Sequence, residues 1–273
     1  AIKVSKRKIK GSGSRSNMLR EVYALAALSD QATEGTFHIV RYYQAWVEES
    51  TLYIQTELCD GNLRQIMEKN GLSTDSCRFS FLRQILLALA LLHDNSIVHL
   101  DIKPENIFIK GDQYKLGDFG LAKNVTQTQF IEEGDSRYMA EELLLEDHSN
   151  LTKCDIFSLG ATMYEICLGC ALPSEGEDWK KIRAGELSLM PYINKELQKI
   201  TTKMLSPNPT IRPSAKVLLK LHNLMSPEQQ ELVTERKKNA IANSALQLQV
   251  EMNSSRELKG RTKLARRSTW TGW

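Results

Sequence analysis

The sequence predicts an α+β fold built as two lobes, and three observations support this prediction. The first 57 of the 273 residues contain strand-like segments rich in Val, Ile, Tyr and Trp. From Leu63 onward apolar residues recur at helical spacing, with the longest apolar stretch over residues 80–93. Polar strings at residues 99–106 and 118–120 interrupt the second part at the places where a reaction site would lie.

The first lobe is predicted to cover residues 1–57. Residues 1–4 are expected to end a strand, and residues 16–29 show the apolar spacing of a helix. Residues 37–47 and 51–57 are predicted to form two strands because they alternate and are rich in β-branched and aromatic residues. The string Cys-Asp-Gly-Asn that follows breaks the pattern and is predicted to be the hinge between the lobes.

The second lobe is predicted to cover residues 58–225 and to be mainly helical. Short strands over residues 107–109 and 114–116 flank a tight Gly-Asp turn and present Asp118. An apolar helix is expected to open at Asp155. The remaining residues, 226–273, are predicted to form a polar tail that is partly helical and then disordered and basic.

Composition excludes several classes of protein. Hydrophobic content of 41% and charged content of 25% are typical of a globular domain, and a net charge of +3 is too small to predict nucleic-acid binding. Five cysteines show no disulfide framework. Cys167 and Cys170 form one C-x-x-C string inside an apolar helix, which favours core packing over a zinc or redox site. No uninterrupted apolar run reaches eighteen residues, so no membrane span or membrane partner is expected.

The string His-Leu-Asp-Ile-Lys-Pro-Glu-Asn at residues 99–106, followed by Asp-Phe-Gly twelve residues later, carries the chemistry. Phosphoryl transfer from ATP needs a carboxylate for the attacking hydroxyl and a Lys over the moving charge, which predicts these roles for Asp101 and Lys103. It also needs an Asn and a second Asp to hold Mg²⁺, which predicts Asn106 and Asp118. The two strings resemble the catalytic loop and the metal-binding motif of protein kinases.

Other parts of that resemblance occur in order along the chain. The opening Ala-Ile-Lys resembles the third strand of a kinase, in which Lys3 would hold the ATP phosphates and pair with Glu21. Taken alone, Lys3 would be one charge of a basic loop and Glu21 a surface helix acid. Glu142 is expected to pair with Arg212, and Asp155 is expected to hold the catalytic-loop backbone. Thus the resemblance implies an α+β, bilobal protein kinase fold.

The resemblance also implies where the nucleotide binds. Thr56 would be the gatekeeper, and the backbone that follows it would bond to adenine. Phe108 would lie under the adenine ring and Ala1 over it, while His99, Phe119 and Leu25 would stack as a spine between the lobes. The full predicted nucleotide set is Ala1, Lys3, Thr56, Glu57, Leu58, Cys59, Phe108 and Asp118.

One part of the kinase pattern does not occur in the printed sequence. Kinases place two strands and a Gly-rich loop before the third-strand Lys, and no G-x-G-x-x-G string is present. We therefore expect a fragment or a truncated first lobe, weaker ATP binding and an exposed sheet edge. This observation keeps open a second function, that of a non-catalytic kinase fragment acting as a binding module.

Within the kinases, the chain resembles the Wee family of cell-cycle kinases. The resemblance rests on Val-Arg-Tyr-Tyr-Gln-Ala-Trp at residues 40–46 and, most specifically, on Glu-Gly-Asp-Ser-Arg at residues 133–137. It implies phosphorylation of an inhibitory tyrosine of a cyclin-dependent kinase–cyclin complex, delayed mitosis, and a nuclear location with the cytoplasm as the alternative. Phe119 also fits Myt-type kinases, and Lys103 alone fits a serine/threonine kinase of another family.

Two regulatory hypotheses follow, one from a residue that differs from the usual kinase pattern and one from the tail. Leu100 stands where many kinases carry the Arg that receives an activation-loop phosphate. We therefore expect activity without such phosphorylation, with Asp135 as a fixed negative charge. Arg-Arg-Ser-Thr at residues 266–269 resembles a basophilic kinase site and a 14-3-3 docking site, although a disordered basic end is the simpler interpretation.

Overall fold

Among its described residues, the first lobe contains a three-stranded antiparallel sheet, a helix and a 3₁₀ turn. The computed structural model describes residues 1–5, 19, 21–26, 28, 31, 33–69, 71–126, 134–188, 190–236 and 238–239. Strands β1 (Ile2–Val4), β2 (Tyr42–Glu48) and β3 (Thr51–Thr56) pair in the order β1-β3-β2. Residues 21–26 are helical (α1), which fits the predicted helix over the part that the structure describes.

The predicted strand over residues 37–47 is wrong in its first part. Glu34–His38 form a 3₁₀ helix, and β2 begins only at Tyr42. A Cβ on Gly35 would lie 2.6 Å from the Leu87 carbonyl oxygen, so this turn presses against the long helix of the second lobe. The Phe37 carbonyl accepts a hydrogen bond from the Lys115 ammonium, so this carbonyl is satisfied outside the sheet. Tertiary contacts therefore override the local strand pattern.

The second lobe is mainly helical, and with the sheet of the first lobe it confirms the predicted α+β class. Its strands form one sheet in the order β4-β6-β7 and one two-stranded pair, β5-β8. Strand bounds are β4 Gly61–Asn62, β5 Ile97–Val98, β6 Ile107–Lys110, β7 Gln113–Leu116 and β8 Lys123–Asn124. Helix bounds are α2 Leu63–Lys69, α3 Asp75–Asp94, α4 Glu141–Leu144, α5 Leu151–Leu168, α6 Glu177–Arg183, α7 Lys195–Met204 and α8 Ala215–Leu218.

Helices α3 and α5 form the centre of the second lobe. Helix α3 starts with a Thr74 cap that accepts a hydrogen bond from the Cys77 N–H, and α5 ends at Gly169 in the left-handed conformation that favours glycine. Most of α5 is buried. Within the described residues, α3 alone is long and apolar enough to cross a membrane by length and composition. Its apolar side chains pack against α5, α8 and β7, as in a core helix.

Two sequence expectations about this lobe need correction. Helix α5 begins at Leu151, so Asp155 lies one turn inside the helix and is fully buried, rather than opening the helix as predicted. Of the C-x-x-C pair, Cys167 is partly buried but Cys170 is exposed, so core packing applies to Cys167 only. Burial raises the pKa of Cys167 to about 11, which disfavours its reactive thiolate.

The residues after Leu224 form a separate unit, Met225–Trp273. Residues 227–236 are helical (α9), and Ser226 and Gln229 cap the start of this helix reciprocally. The predicted docking string at residues 266–269 lies outside the described residues.

Candidate functional site

The buried carboxylate of Asp155, on α5, holds the backbone of the catalytic loop. Asp155 accepts hydrogen bonds of 2.9 Å from the backbone N–H groups of His99 and Leu100, and a third of 2.9 Å joins it to the His93 ring. Leu100 has φ of 65°, a left-handed conformation that a branched side chain rarely adopts. The Asp155 bonds hold this strained turn, so the predicted role of Asp155 in the catalytic loop agrees with its contacts.

Asp101 is fixed at both carboxylate oxygens. Lys103 Nζ lies 2.9 Å from Oδ1, and the Asn106 side-chain amide donates to Oδ2 at 2.7 Å and to the Asp101 carbonyl at 2.9 Å. The three residues predicted to share this loop therefore lie in contact. A carboxylate held in this way, with a cation beside it, can accept a proton from a hydroxyl while Lys103 faces the developing charge.

Lys3, Glu21 and Asp118 form a charged triad between the lobes. Lys3 Nζ lies 2.9 Å from both oxygens of Glu21 and 2.5 Å from Asp118 Oδ1. Burial opposes the charge on Lys3, but the two carboxylates outweigh it and raise its pKa. Burial also raises the pKa of Glu21, whereas at Asp118 the Lys3 charge overcomes burial and lowers the pKa. Lys3 thus stays a cation beside an ionised Asp118.

The Asp-Phe-Gly string links this triad to the catalytic loop. Asp118 has φ of 58°, and its carboxylate also accepts a 3.4 Å bond from the Gly120 N–H. Phe119 is fully buried, with its ring 4.9 Å from the His99 ring at 66°. The Phe119 backbone is also one of the groups that oppose the rise in the pKa of Glu21. The predicted spine contact between His99 and Phe119 is present.

A cavity of about 390 Å³ lies between the lobes and gathers the predicted nucleotide residues. Its wall includes Leu25, Val40 and Gly117, which the sequence reasoning did not assign to the nucleotide. A Cβ on Gly117 would lie 2.7 Å from Val40 and 2.8 Å from Phe108, so this glycine lets Phe108 reach the cavity. All eight members of the predicted set line this cavity: Ala1, Lys3, Thr56, Glu57, Leu58, Cys59, Phe108 and Asp118.

Glu57 makes hinge contacts besides its predicted backbone bond to adenine. The Glu57 N–H donates to the Arg41 carbonyl at 2.9 Å, so a backbone bond from Glu57 to adenine would use its carbonyl. Its carboxylate is buried and accepts bonds from Lys110, Lys115 and the Arg41 N–H. These donors outweigh the burial and lower the pKa of Glu57. Glu57 therefore also ties β3 to β6 and β7, a role for which the sequence carried no signal.

The end of the activation segment is described from Gly134 onward. Asp135 accepts bonds from the Arg137 N–H at 3.1 Å and from its guanidinium at 2.6 and 3.0 Å. Arg137 outweighs burial and lowers the pKa of Asp135, so the hypothesised negative charge is retained but is paired within its own turn. Glu133 and the rest of residues 127–133 lie outside the described part of the chain.

The donor set agrees with magnesium and ATP as the ligands of this site. Asn106 uses its side-chain nitrogen on Asp101, which leaves its carbonyl oxygen for a hard cation. No group of three or more acidic, His or Cys side chains that could hold a metal occurs in the described residues. Mg²⁺ at an ATP site takes one or two carboxylates plus phosphate oxygens and water, so Asp118 with Asn106 is a sufficient protein contribution.

Comparison with known proteins gives the same result as the geometry. Residues 1–224 match the protein kinase domain family. The chain is 42% identical to a Wee1-like protein kinase of Arabidopsis thaliana over 222 residues, which is 80% of this chain and 43% of that protein. It is 39% identical to Wee1-like protein kinase 2 of Danio rerio over 84% of this chain and 47% of that protein. The chain thus spans less than half the length of these relatives.

Proposed function

This chain belongs to the protein kinase family, on its Wee-like branch. We propose that it transfers the γ-phosphate of ATP to a tyrosine of a cyclin-dependent kinase. The observation that carries the reaction is the joint placement of Asp101, Lys103 and Asn106 in one loop, beside the Lys3–Glu21–Asp118 triad. The tyrosine target rests on the family resemblance.

The arrangement supports direct, in-line transfer. The tyrosine oxygen forms a bond to the γ-phosphorus, the bond to the bridging oxygen breaks, and ADP leaves with that oxygen. Asp101 accepts the phenolic proton, and Lys103 faces the charge on the transferring group. Lys3 binds the α- and β-phosphates in the position that the Glu21 pair sets for it. When bound to Asp118 and Asn106, magnesium would shield the phosphate charge.

Two regulatory proposals accompany this function. We propose that the protein acts in the nucleus and delays mitotic entry. We also propose that residues 266–269, once phosphorylated, bind a 14-3-3 protein through the new charge. A pull-down with phosphorylated and unphosphorylated tail peptides tests the second proposal. Equal retention of the two peptides would end it.

The test of the main proposal is a phosphotransfer assay on a cyclin-dependent kinase–cyclin complex. It compares the wild-type protein with its Asp101→Asn variant, and mass spectrometry identifies the modified residue. We expect phosphotyrosine from the wild type and a loss of about 10²- to 10⁴-fold in the variant, which lacks the proton acceptor. Phosphate only on serine or threonine would overturn the Wee-type proposal, and no transfer would favour a binding module.

A further inference from the structure

A buried acid on α5 stands at the centre of a second cluster of charges. Glu165 is fully buried, and Arg64 Nη1 lies 2.7 Å from its Oε1. The Tyr138 hydroxyl donates to its Oε2 at 2.5 Å, and Arg64 Nη2 donates to the Tyr138 oxygen at 2.6 Å. A buried carboxylate needs a cation and hydrogen-bond donors to stay ionised, and Arg64 on α2 supplies the cation.

The same guanidinium serves a second acid, in the catalytic loop. Arg64 Nε donates to Glu105 Oε1 at 3.0 Å. Arg137 approaches that oxygen to only 3.6 Å and makes its shortest contact with Asp135, at 2.6 Å. Arg64 is therefore the main cation for two carboxylates from two separate elements. We call Arg64, Glu105, Arg137, Tyr138 and Glu165 the Glu165 cluster.

The Glu165 cluster adjoins the reacting centre. Glu105 follows Asp101 by four residues, and its side chain is 34% exposed. A Cβ on Gly134 would lie 3.1 Å from Asp101 Oδ1 and 2.9 Å from the Leu100 carbonyl oxygen. Tyr138 follows Gly134 by only four residues, a span of at most about 14 Å in an extended chain. A peptide that reaches Asp101 along this segment therefore passes close to the cluster.

We propose that the Arg64 side chain fills an acidic pocket that would otherwise bind a basic side chain of the substrate. Two carboxylates placed around one guanidinium are the arrangement that recognises arginine, and here the protein fills it with its own residue. Glu105 Oε2 is buried without a hydrogen-bond partner in the part of the chain that the structure describes. Once Arg64 is removed, this oxygen and the Glu105 Oε1 that Arg64 now binds would be available to a guanidinium of the substrate.

The consequence concerns the sequence of the substrate. With Arg64 in place, a substrate Arg or Lys meets a site whose acids are already paired, so basic residues beside the phosphoacceptor bring no gain. This inference rests on the proposed function only in requiring that a peptide hydroxyl reaches Asp101. It deepens that function because it sets one determinant of substrate choice.

An arginine scan of peptide substrates tests the proposal with the whole protein. A neutral parent peptide carries one tyrosine acceptor, a twin carries serine, and single Arg substitutions cover the neighbouring positions. For the wild type we expect no position at which Arg raises kcat/KM. For Arg64→Ala we expect a rise of about tenfold or more at one or two positions, as for a new charge-assisted hydrogen bond. Arg64→Lys keeps a cation there and should keep the flat profile.

Three controls separate the pocket from general damage. Arg78→Ala removes a similarly buried arginine of α3, which pairs with Asp75 at 3.0 Å, and its profile should stay flat. Adding Glu165→Gln to Arg64→Ala should cancel the gain because the central acid is then neutral. Binding of peptides with Phe as the acceptor, measured by fluorescence polarisation, gives the same comparison without turnover.

Several outcomes would overturn the proposal. One is a flat profile in folded Arg64→Ala, in both turnover and binding. Another is a wild-type preference for Arg that Glu105→Gln abolishes. Such a result would mean that Glu105 is open to the substrate even with Arg64 in place. This outcome can be measured whether or not Arg64→Ala folds. If the serine twin is phosphorylated and the tyrosine peptide is not, the proposed function fails while the arginine scan still decides this inference.

Discussion

Two residues of the site, Leu100 and Asp118, have left-handed backbone conformations, with φ of 65° and 58°. Each such residue costs on the order of 1–3 kcal/mol, so the surrounding structure must hold it. The Asp155 carboxylate holds Leu100, and Lys3 with the Gly120 N–H holds Asp118. The left-handed residue Asp118 lines the cavity between the lobes, and the left-handed residue Leu100 directly precedes Asp101.

The first prediction concerns the single residue Gly134. Its φ is ordinary, but a Cβ there would meet the Leu100 carbonyl oxygen at 2.9 Å and Asp101 Oδ1 at 3.1 Å. We therefore expect Gly134→Ala to displace the Asp101 carboxylate and to lower kcat about tenfold or more, the scale on which misplaced catalytic groups act. The KM for ATP should stay near the wild-type value. Steady-state kinetics on both substrates provides the measurement.

Ser136→Ala is the matched control for this prediction. Ser136 lies two residues further along the same segment and already carries a Cβ, so its truncation adds no atom near Asp101. Its kcat should resemble the wild type. An equal fall of kcat in both variants would mean that the segment tolerates no change, and the steric argument for Gly134 would fail.

His99 gives a prediction about pH. Its Nδ1 accepts from the Asp101 N–H at 3.3 Å and its Nε2 bonds to the Gly117 carbonyl at 3.0 Å, which fits a neutral ring protonated at Nε2. Burial lowers its pKa below the usual value of about 6.5. The unfolded chain therefore binds the proton more readily, so the stabilising contribution is complete above about pH 6.5 and is lost as the pH falls.

Urea unfolding at pH 7.5 and 5.5 measures this effect. We expect the free energy of unfolding to fall between these pH values by more in the wild type than in His99→Phe, which has no ring to protonate. His38, whose pKa burial also lowers, contributes equally to both proteins and so cancels. An equal fall in the two proteins would show that His99 titrates normally in the folded state.

At the scale of elements, the activation segment is tied to the second lobe by buried cations. Arg183 on α6 donates to the carbonyls of Ser136 and Met139 and lies 3.6 Å from the Trp179 ring. Burial lowers its pKa to about 10, so it remains a cation at neutral pH. Arg212 forms a bidentate pair with Glu142 at the start of α4. Both arginines act on the segment that would hold the substrate.

The Arg212 pair gives a prediction about stability. Arg212→Ala leaves the buried Glu142 carboxylate without its cation, which costs about 3–5 kcal/mol in such pairs. Urea unfolding should show this loss, and Arg212→Met with Glu142→Gln should recover part of it because no charge stays buried. The exposed pair Lys199–Glu196 is the control, and its truncation should leave stability almost unchanged. A small effect of Arg212→Ala would mean that water reaches Glu142.

Sequence reasoning is most informative where residue type and spacing are set by chemistry. Asp101, Lys103, Asn106 and Asp118 are predicted because phosphoryl transfer needs these groups, and in the structure the first three lie in contact while Asp118 lines the cavity. It failed at residues 37–41, where contacts with α3 and β7 replace a strand that the local pattern favours. The Glu165 cluster could not be predicted either, because nothing local in the sequence marks a buried ion pair between distant elements.

In the first unit as a whole, the two lobes contact each other at the Lys3–Glu21–Asp118 triad as well as where the Glu34–His38 turn packs against α3. Lys3 of β1 and Glu21 of α1 belong to the first lobe, whereas Asp118 and Phe119 belong to the second. The cavity between the lobes is walled by both. A ligand that bridges them should therefore stabilise the folded state as a whole, whether or not the chemistry proceeds.

The last prediction separates this bridging from catalysis. MgATP should raise the melting temperature of the wild type, since a ligand at 100 times its Kd adds about 2.7 kcal/mol. Lys3→Met should lose most of this rise because it removes the cation that faces the phosphates. Asp101→Asn should keep it, since Asp101 does not line the cavity among the described residues. Thermal shift with MgADP and MgATP gives the measurement. If Asp101→Asn lost the rise and Lys3→Met kept it, the nucleotide would bind outside this cavity, and the assignment of Lys3 to the phosphates would be wrong.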